Sequence, residues 1–163
     1  MRNPSNQYAT VIRLRRDFTF EAAHLLPWYK GDCRHLHGHS YRLEVEIGGR
    51  VSTQEGQPDS NMVVDLQQLK RWVHKAIIDD YDHALLLSEV HSEEQMNWAK
   101  SFSGRILTFE GQPSCEQLVV DMAHRLRQIL PANLVLMEVR LWETANSSAS
   151  WHFGDQLQQA LIP

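Results

Sequence analysis

Cysteine is scarce in this chain of 163 residues and occurs only at Cys33 and Cys115. One disulfide is conceivable, but free thiols are the expectation for a chain that stays in the cytoplasm. No apolar run approaches the roughly 18 residues that a membrane-spanning helix needs. The N-terminal MRNPSNQYATVIRLRR has no apolar core of the signal-peptide kind, so a cytoplasmic location is expected. Positive charge is not in excess. The formal net charge is −4, which argues against nucleic acid as a partner. Internal repeats, low-complexity linkers and phosphate-binding motifs are missing as well. Residues 1–163 are therefore expected to form a single domain, large enough to bury a core.

Histidine, by contrast, is plentiful, with nine in the chain. Three of them form a pattern in residues 18–45, FTFEAAHLLPWYKGDCRHLHGHSYRLEV. His37 and His39 flank Gly38. In a strand, residues two apart share a face, so both imidazoles can reach one point. Gly38 leaves the opposite side open to a close backbone. His24 ends the run Phe18-Thr19-Phe20-Glu21-Ala22-Ala23 and can arrive from a neighbouring strand. Three neutral imidazoles without a fourth protein ligand make a catalytic zinc arrangement, because one coordination position stays open to water or substrate. Cys33, four residues before His37, has two possible roles. It is either a fourth ligand that closes the site, or a thiol beside the metal that acts as base or nucleophile. The spacing alone leaves both open.

FTFEAAH followed by Cys-x-x-x-His-Gly-His-Ser resembles the 6-pyruvoyltetrahydropterin synthase superfamily. The step Cys33-Arg34-His35-Leu36-His37 is similar to its 6-carboxytetrahydropterin synthase branch. The pyruvoyl branch spaces the cysteine further away, and another branch carries Glu in its place. The resemblance implies Zn²⁺ on His24, His37 and His39, with Cys33 catalytic rather than a ligand. It extends to Val63-Val64-Asp65-Leu66-Gln67-Gln68-Leu69-Lys70 and to Asp82-His83. Alone, an Asp-His dipeptide is a weak signal and fits a solvated helix end. The resemblance makes Asp82 and His83 proton-relay partners of Cys33, reached across a subunit boundary. Pro113-Ser114-Cys115-Glu116 matches a segment whose backbone, around Ser114 and Cys115, holds the pterin edge, with Glu116 at the site. By itself Glu116 is a first-turn acid that complements a helix dipole. Leu141-Trp142-Glu143-Thr144 matches the segment whose Glu anchors the pterin. A carboxylate suits that task, since it accepts a ring N–H and an exocyclic amine in one fork.

Read in order, residues 1–9 suggest a polar tail and Thr10–Phe20 a strand. Residues 25–36 suggest a loop, with Trp28 and Tyr29 packed as a lid. Ser40–Gly48 suggests a second strand that shares parity with His37 and His39, weakened or ended at Gly48-Gly49. Residues 52–61 suggest a hairpin loop, and Met62–Val64 a short returning strand. Asp65 is expected to cap a helix with Gln68 at the capping-box position, ending near Asp79-Asp80. Residues 88–110 look like an insertion, helical over Glu89–Lys100 and extended over Arg105–Phe109, with Trp98 a packing residue. Ser114 is expected to cap a second helix, boxed by Gln117 and stopped by Pro131. Leu134–Thr144 suggests a strand with Val135, Met137, Val139 and Leu141 on one face. Residues 145–148 suggest a turn, and Ala149–Phe153 a return strand. His35, His74, His91, His124 and His152 carry no assigned role.

The pattern is α+β, with two helices on one face of an antiparallel sheet. The resemblance implies the tunnelling fold (T-fold), in which such sheets associate into a barrel, commonly as homohexamers with sites between subunits. The implied reaction takes 7,8-dihydroneopterin triphosphate and water to 6-carboxy-5,6,7,8-tetrahydropterin, acetaldehyde and triphosphate, a lyase step toward queuosine. Triphosphate elimination by the pyruvoyl branch, or pterin and zinc binding without turnover, are the alternatives.

Overall fold

The computed structural model describes residues 10–157, so the expected polar tail at residues 1–9 lies outside the described residues. Six strands form one sheet: β1 (Val11–His24), β2 (His37–Arg50), β3 (Ala84–Ser88), β4 (Ile106–Phe109), β5 (Leu134–Thr144) and β6 (Ser147–His152). Their order is β4-β3-β1-β2-β5-β6. The four strands from β1 through β2 and β5 to β6 pair antiparallel, as expected. β3 joins β1, and β4 joins β3, in parallel, which makes the whole sheet mixed.

Several boundaries move. β1 does not stop at Phe20 but pairs with β2 over its full length, from Val11 opposite Arg50 to His24 opposite His37. β2 runs on through both glycines to Arg50. A Cβ at Gly49 would come within 2.7 Å of side chains of Val63 and Leu134, so glycine there admits close packing rather than ending the strand. Met62–Val64 is not a strand. The loop before it is closed by Ser52 N–H donating to Met62 O (2.8 Å) and Asn61 N–H donating to Ser52 O (3.1 Å). β3 was not anticipated. All five residues of its ALLLS run are buried, and such a run lacks the alternation that marks a half-exposed strand. The turn after β5 is only Ala145-Asn146, and Phe153 belongs to a short helix, α5 (Phe153–Gln156), not to β6.

The core forms on one face. Phe18, Phe20, Ala22 and His24 of β1 point inward with Tyr41, Leu43, Val45 and Ile47 of β2. On β5 a bulge at Met137 switches parity, because Glu46 faces Glu138 while Ile47 faces Leu136. Leu134, Leu136, Val139 and Leu141 are therefore the buried set, and Val135 is exposed.

Two helical segments cover this face. The first comprises α1 (Leu66–Val73), a π turn (His74–Ile78) and α2 (Asp79–Tyr81). The π turn rephases the helix so that Ala76, Ile77 and Ile78 are all buried. Asp65 caps α1 by accepting from Gln67 N–H (2.9 Å), while Gln68 accepts from Arg71 (3.0 Å) instead of closing a box. An intervening helix, α3 (Glu93–Phe102), lies within the insertion. The second covering helix, α4 (Cys115–Ile129), is capped by Ser114, again through its backbone half only. The full capping box belongs to α3, between Ser92 and Gln95. Tyr81 donates to Asp121 (2.5 Å), and Arg125 binds both Asp121 and Asp80, which ties the end of the first segment to α4.

α3 packs against the reverse face, with Ala99 on Leu85 and Leu87. Trp98 is not a packing residue there. It lies 66 % exposed beside Phe102. The rest of the reverse face is polar: buried Glu44 accepts from Arg42 (2.7 Å), Trp142 Nε1 (2.9 Å) and Arg15 (3.3 Å).

Leu126, fully buried on α4, tests this packing. Leu126→Ala is expected to lower unfolding free energy by about 2–5 kcal/mol in a denaturant titration. A loss below about 1 kcal/mol would mean that α4 does not seal the sheet as described.

Candidate active site

Strand pairing builds the site. Because His24 is the register partner of His37, and β2 alternates, the side chains of His24, His37 and His39 converge at one end of the core face. Each offers a ring nitrogen, and the three nitrogens lie within 4.8 Å of one another. Two rings are aimed by backbone carbonyls: His24 Nδ1–H donates to Pro113 O (2.8 Å) and His37 Nδ1–H to His35 O (2.7 Å). This fixes both tautomers with Nε2 as a lone pair. The two Nε2 atoms are 3.1 Å apart, and His39 Nε2 is buried without a hydrogen-bond partner among the described residues. Facing lone pairs that close repel unless a cation lies between them. The donor set therefore fits a borderline metal such as Zn²⁺. Burial, the largest effect, holds the pKa of His24 and His39 below the ordinary value, and outweighs the opposing pull of the Pro113 hydrogen bond on His24 and of Glu143 on both. The rings stay neutral, as ligands must.

Cys33 is not in this cluster. It lines an adjoining cavity of 360 Å³ together with Glu143, Ser114, Cys115 and Glu116. One cavity thus collects every residue expected at the pterin, plus the expected catalytic thiol. Leu26, Tyr29, Gln112 and Ser147–Ala149 complete the wall and were not anticipated. The loop carrying Cys33 is shaped by Leu26 N–H donating to Cys33 O (3.0 Å) and anchored by Trp28 N–H donating to Gln112 (2.8 Å). Trp28 and Tyr29 are more than half exposed, not a packed lid. Cys115 donates to Leu141 O (3.3 Å), and burial pushes its thiol up to about 11, so it is inert.

Glu143 does more than line the cavity. Its Oε1 lies 3.5 Å from His24 Nε2 and 3.7 Å from His39 Nε2. Spacing along β5 gave no hint of this, since the contacts reach His39 on the neighbouring β2 and His24 on β1, one strand further.

Asp82 and His83 lie elsewhere. Asp82 accepts from Glu21 N–H (3.0 Å), which chiefly holds its carboxyl below the usual range, and pairs with His83 Nδ1 (3.0 Å). His83 has a left-handed backbone (φ 60°), rare for a side-chain-bearing residue, held by its N–H donating to Glu21 O. Its imidazole is 77 % exposed and lines a separate hollow with Glu21, Ala23, Gly38 and Ser40. Within one chain, then, His83 and Cys33 line different cavities, and the hollow of His83 is also bordered by His39.

The 6-pyruvoyl tetrahydropterin synthase family model matches residues 13–152, which include every residue of this site. The chain belongs to that family. It is 30 % identical over 139 residues to the 6-carboxy-5,6,7,8-tetrahydropterin synthase of Haemophilus influenzae, covering 84 % of this chain and 96 % of that one. Two solved structures share its fold. An uncharacterized protein from Wolinella succinogenes has a TM-score of 0.66 at 20 % identity, covering 88 % of this chain and 99 % of that one. The 6-pyruvoyl tetrahydropterin synthase of Caenorhabditis elegans has a TM-score of 0.61 at 24 % identity, covering 88 % and 96 %. The α+β tunnelling fold is thus the architecture of this family member.

Buried neutral histidines make the metal-free fold pH-sensitive. Below about pH 6.5 the unfolded chain takes up protons that the folded His24 and His39 resist. Stability is therefore lost as pH falls from that value toward the depressed folded-state pKa. The melting temperature of metal-stripped protein is expected to drop between about pH 7.5 and 5.5, and His24→Asn to flatten the slope. A wild-type melting temperature constant across that range would contradict the burial argument.

Proposed function

We propose that this chain is a 6-carboxy-5,6,7,8-tetrahydropterin synthase, a lyase acting on 7,8-dihydroneopterin triphosphate and water. The products are 6-carboxytetrahydropterin, acetaldehyde and triphosphate, on the route to queuosine. One observation carries the reading. The cavity that holds Glu143, Ser114, Cys115, Glu116 and Cys33 opens beside the three histidines, in a chain 30 % identical to an enzyme of that name. A volume of 360 Å³ suits a bicyclic ring held by a few convergent polar groups.

His24, His37 and His39 would hold Zn²⁺, which, when bound, acidifies hydroxyls of the substrate side chain. Glu143 accepts the ring N–H and amine, and so sets which carbon faces the thiol. Ser114 and Cys115 present the first turn of α4 to the ring edge, with Glu116 beside them. Cys33 moves a proton between ring and side chain, outside the ligand set. Asp82 orients His83, and a carboxylate partner strengthens the ring as a proton acceptor.

Because His83 and Cys33 line different cavities of one chain, the relay is completed by a second copy. A homo-oligomer, in our reading a hexamer, brings His83 of one subunit to Cys33 of the next. The polar face around Glu44 suits the lumen of such a barrel. No helix among the described residues is long and apolar enough to cross a membrane, in keeping with a cytoplasmic enzyme.

Incubation of zinc-loaded protein with 7,8-dihydroneopterin triphosphate should yield 6-carboxytetrahydropterin and acetaldehyde by mass spectrometry. 6-Pyruvoyltetrahydropterin without acetaldehyde would assign the sister activity instead. Cys33→Ala is expected to keep zinc at wild-type stoichiometry and to lose at least about 100-fold in kcat. Loss of the metal in that variant would make Cys33 a ligand and overturn its role here.

A further inference from the structure

Glu143 stands between two sites that make different demands on one carboxylate. A tetrahedral centre with metal–nitrogen and metal–oxygen bonds of about 2.0–2.1 Å has ligand-to-ligand edges of about 3.3 Å. The observed separations are 3.1 Å between His24 and His37 Nε2, 3.5 Å from Glu143 Oε1 to His24, and 3.7 Å to His39. The oxygen thus stands one short side-chain adjustment outside the three-histidine cluster, beside two of its three ligand atoms. Among the described residues, these two histidines are also the only ion-pair partners of Glu143. Its side chain is only 25 % exposed and pairs with no Lys or Arg among the described residues, so the carboxylate has no permanent cation of its own. A metal ion would supply one.

The backbone at this position is built for a side chain with two destinations. The β5–β6 ladder skips a residue between Trp142 and Thr144, so Glu143 is a bulge residue outside the regular pairing. Bulges re-aim side chains and loosen the local ladder. Across the sheet, Arg42 faces Trp142, and continuing that register by one residue sets Tyr41 beside Glu143. The Tyr41 hydroxyl is fully buried and has no hydrogen-bond partner among the described residues, so a donor stands unused next to the carboxylate. The same carboxylate also lines the cavity of Ser114 and Glu116.

We propose that Glu143 is a metal ligand in the substrate-free enzyme and leaves the metal when the pterin ring binds. One metal–oxygen bond to Glu143 breaks, and one to water or a substrate hydroxyl replaces it, with no change of oxidation state. Ring recognition thereby opens the coordination position, and a metal without a ring remains closed. The proposal rests on the reading of the cavity as a pterin site.

Cobalt(II) in place of zinc reports coordination through its visible absorption. Cobalt-loaded protein is titrated with unsubstituted pterin, which has no side-chain hydroxyls, and ring occupancy is followed separately by pterin fluorescence. The cobalt spectrum is expected to change in step with occupancy. In Glu143→Ala, metal affinity in a chelator competition should fall by at least about ten-fold, and its cobalt spectrum without pterin should differ from that of ring-free wild type. Pterin binding with an unchanged wild-type spectrum, or full metal affinity in Glu143→Ala, would overturn the exchange while leaving the pterin site intact. Failure of wild-type protein to bind pterin at all would overturn both.

Discussion

The pairing of β1 with β2 is the constraint on which the rest depends. Fourteen residues on each strand align without a break, and the far end of that register sets His24 opposite His37. A slip of one residue would turn His37 and His39 to the polar face and leave His24 alone in the core. The register is protected because the same alternation that aims the histidines also buries Phe18 and Phe20 against Tyr41 and Leu43. Hydrophobic burial across the whole ribbon therefore holds the ligand geometry.

The site lies where this ribbon meets two later parts of the chain. Pro113, just before α4, accepts from His24, and Ser114 caps that helix at the cavity wall. Glu143, at the end of β5, brings the one carboxylate to the histidines. Burial favours neutral His24 and His39, and the carbonyl-aimed rings of His24 and His37 turn their Nε2 lone pairs toward one another. That arrangement is unfavourable in an empty protein and favourable around a cation. The fold thus carries an electrostatic demand that a bound cation would satisfy, which would couple metal binding to stability.

The insertion follows a different logic. β4 and α3 extend the sheet by one strand and cover β3 on the reverse face, away from the cavity of Cys33. They leave Trp98, Phe102 and Val90 in solvent. On the same side, His83 projects outward from a strained turn fixed by Glu21. The single chain holds Cys33 in one cavity and His83 in another, and folding of one chain alone does not bring them together.

Much of this was legible in the residues. The His-Gly-His alternation, the cap at Ser114 and the core parity of Tyr41, Leu43, Val45 and Ile47 are local periodicities, and each emerged as expected. What escaped was non-local or locally ambiguous. The bulge at Met137 kept Val139 and Leu141 inward but replaced Val135 and Met137 by Leu134 and Leu136, a parity change that only the pairing with β2 reveals. The buried ALLLS run of β3 gave no alternation to read, and Met62–Val64 had strand composition but no partner to pair with. The sequence by itself determined which chemistry was available: three imidazoles, a thiol, a carboxylate at the end of a strand and an Asp-His pair. Only tertiary structure decided their grouping. It set Glu143 against the histidines and His83 away from Cys33, because strand order and register, not distance along the chain, determine which side chains share a cavity.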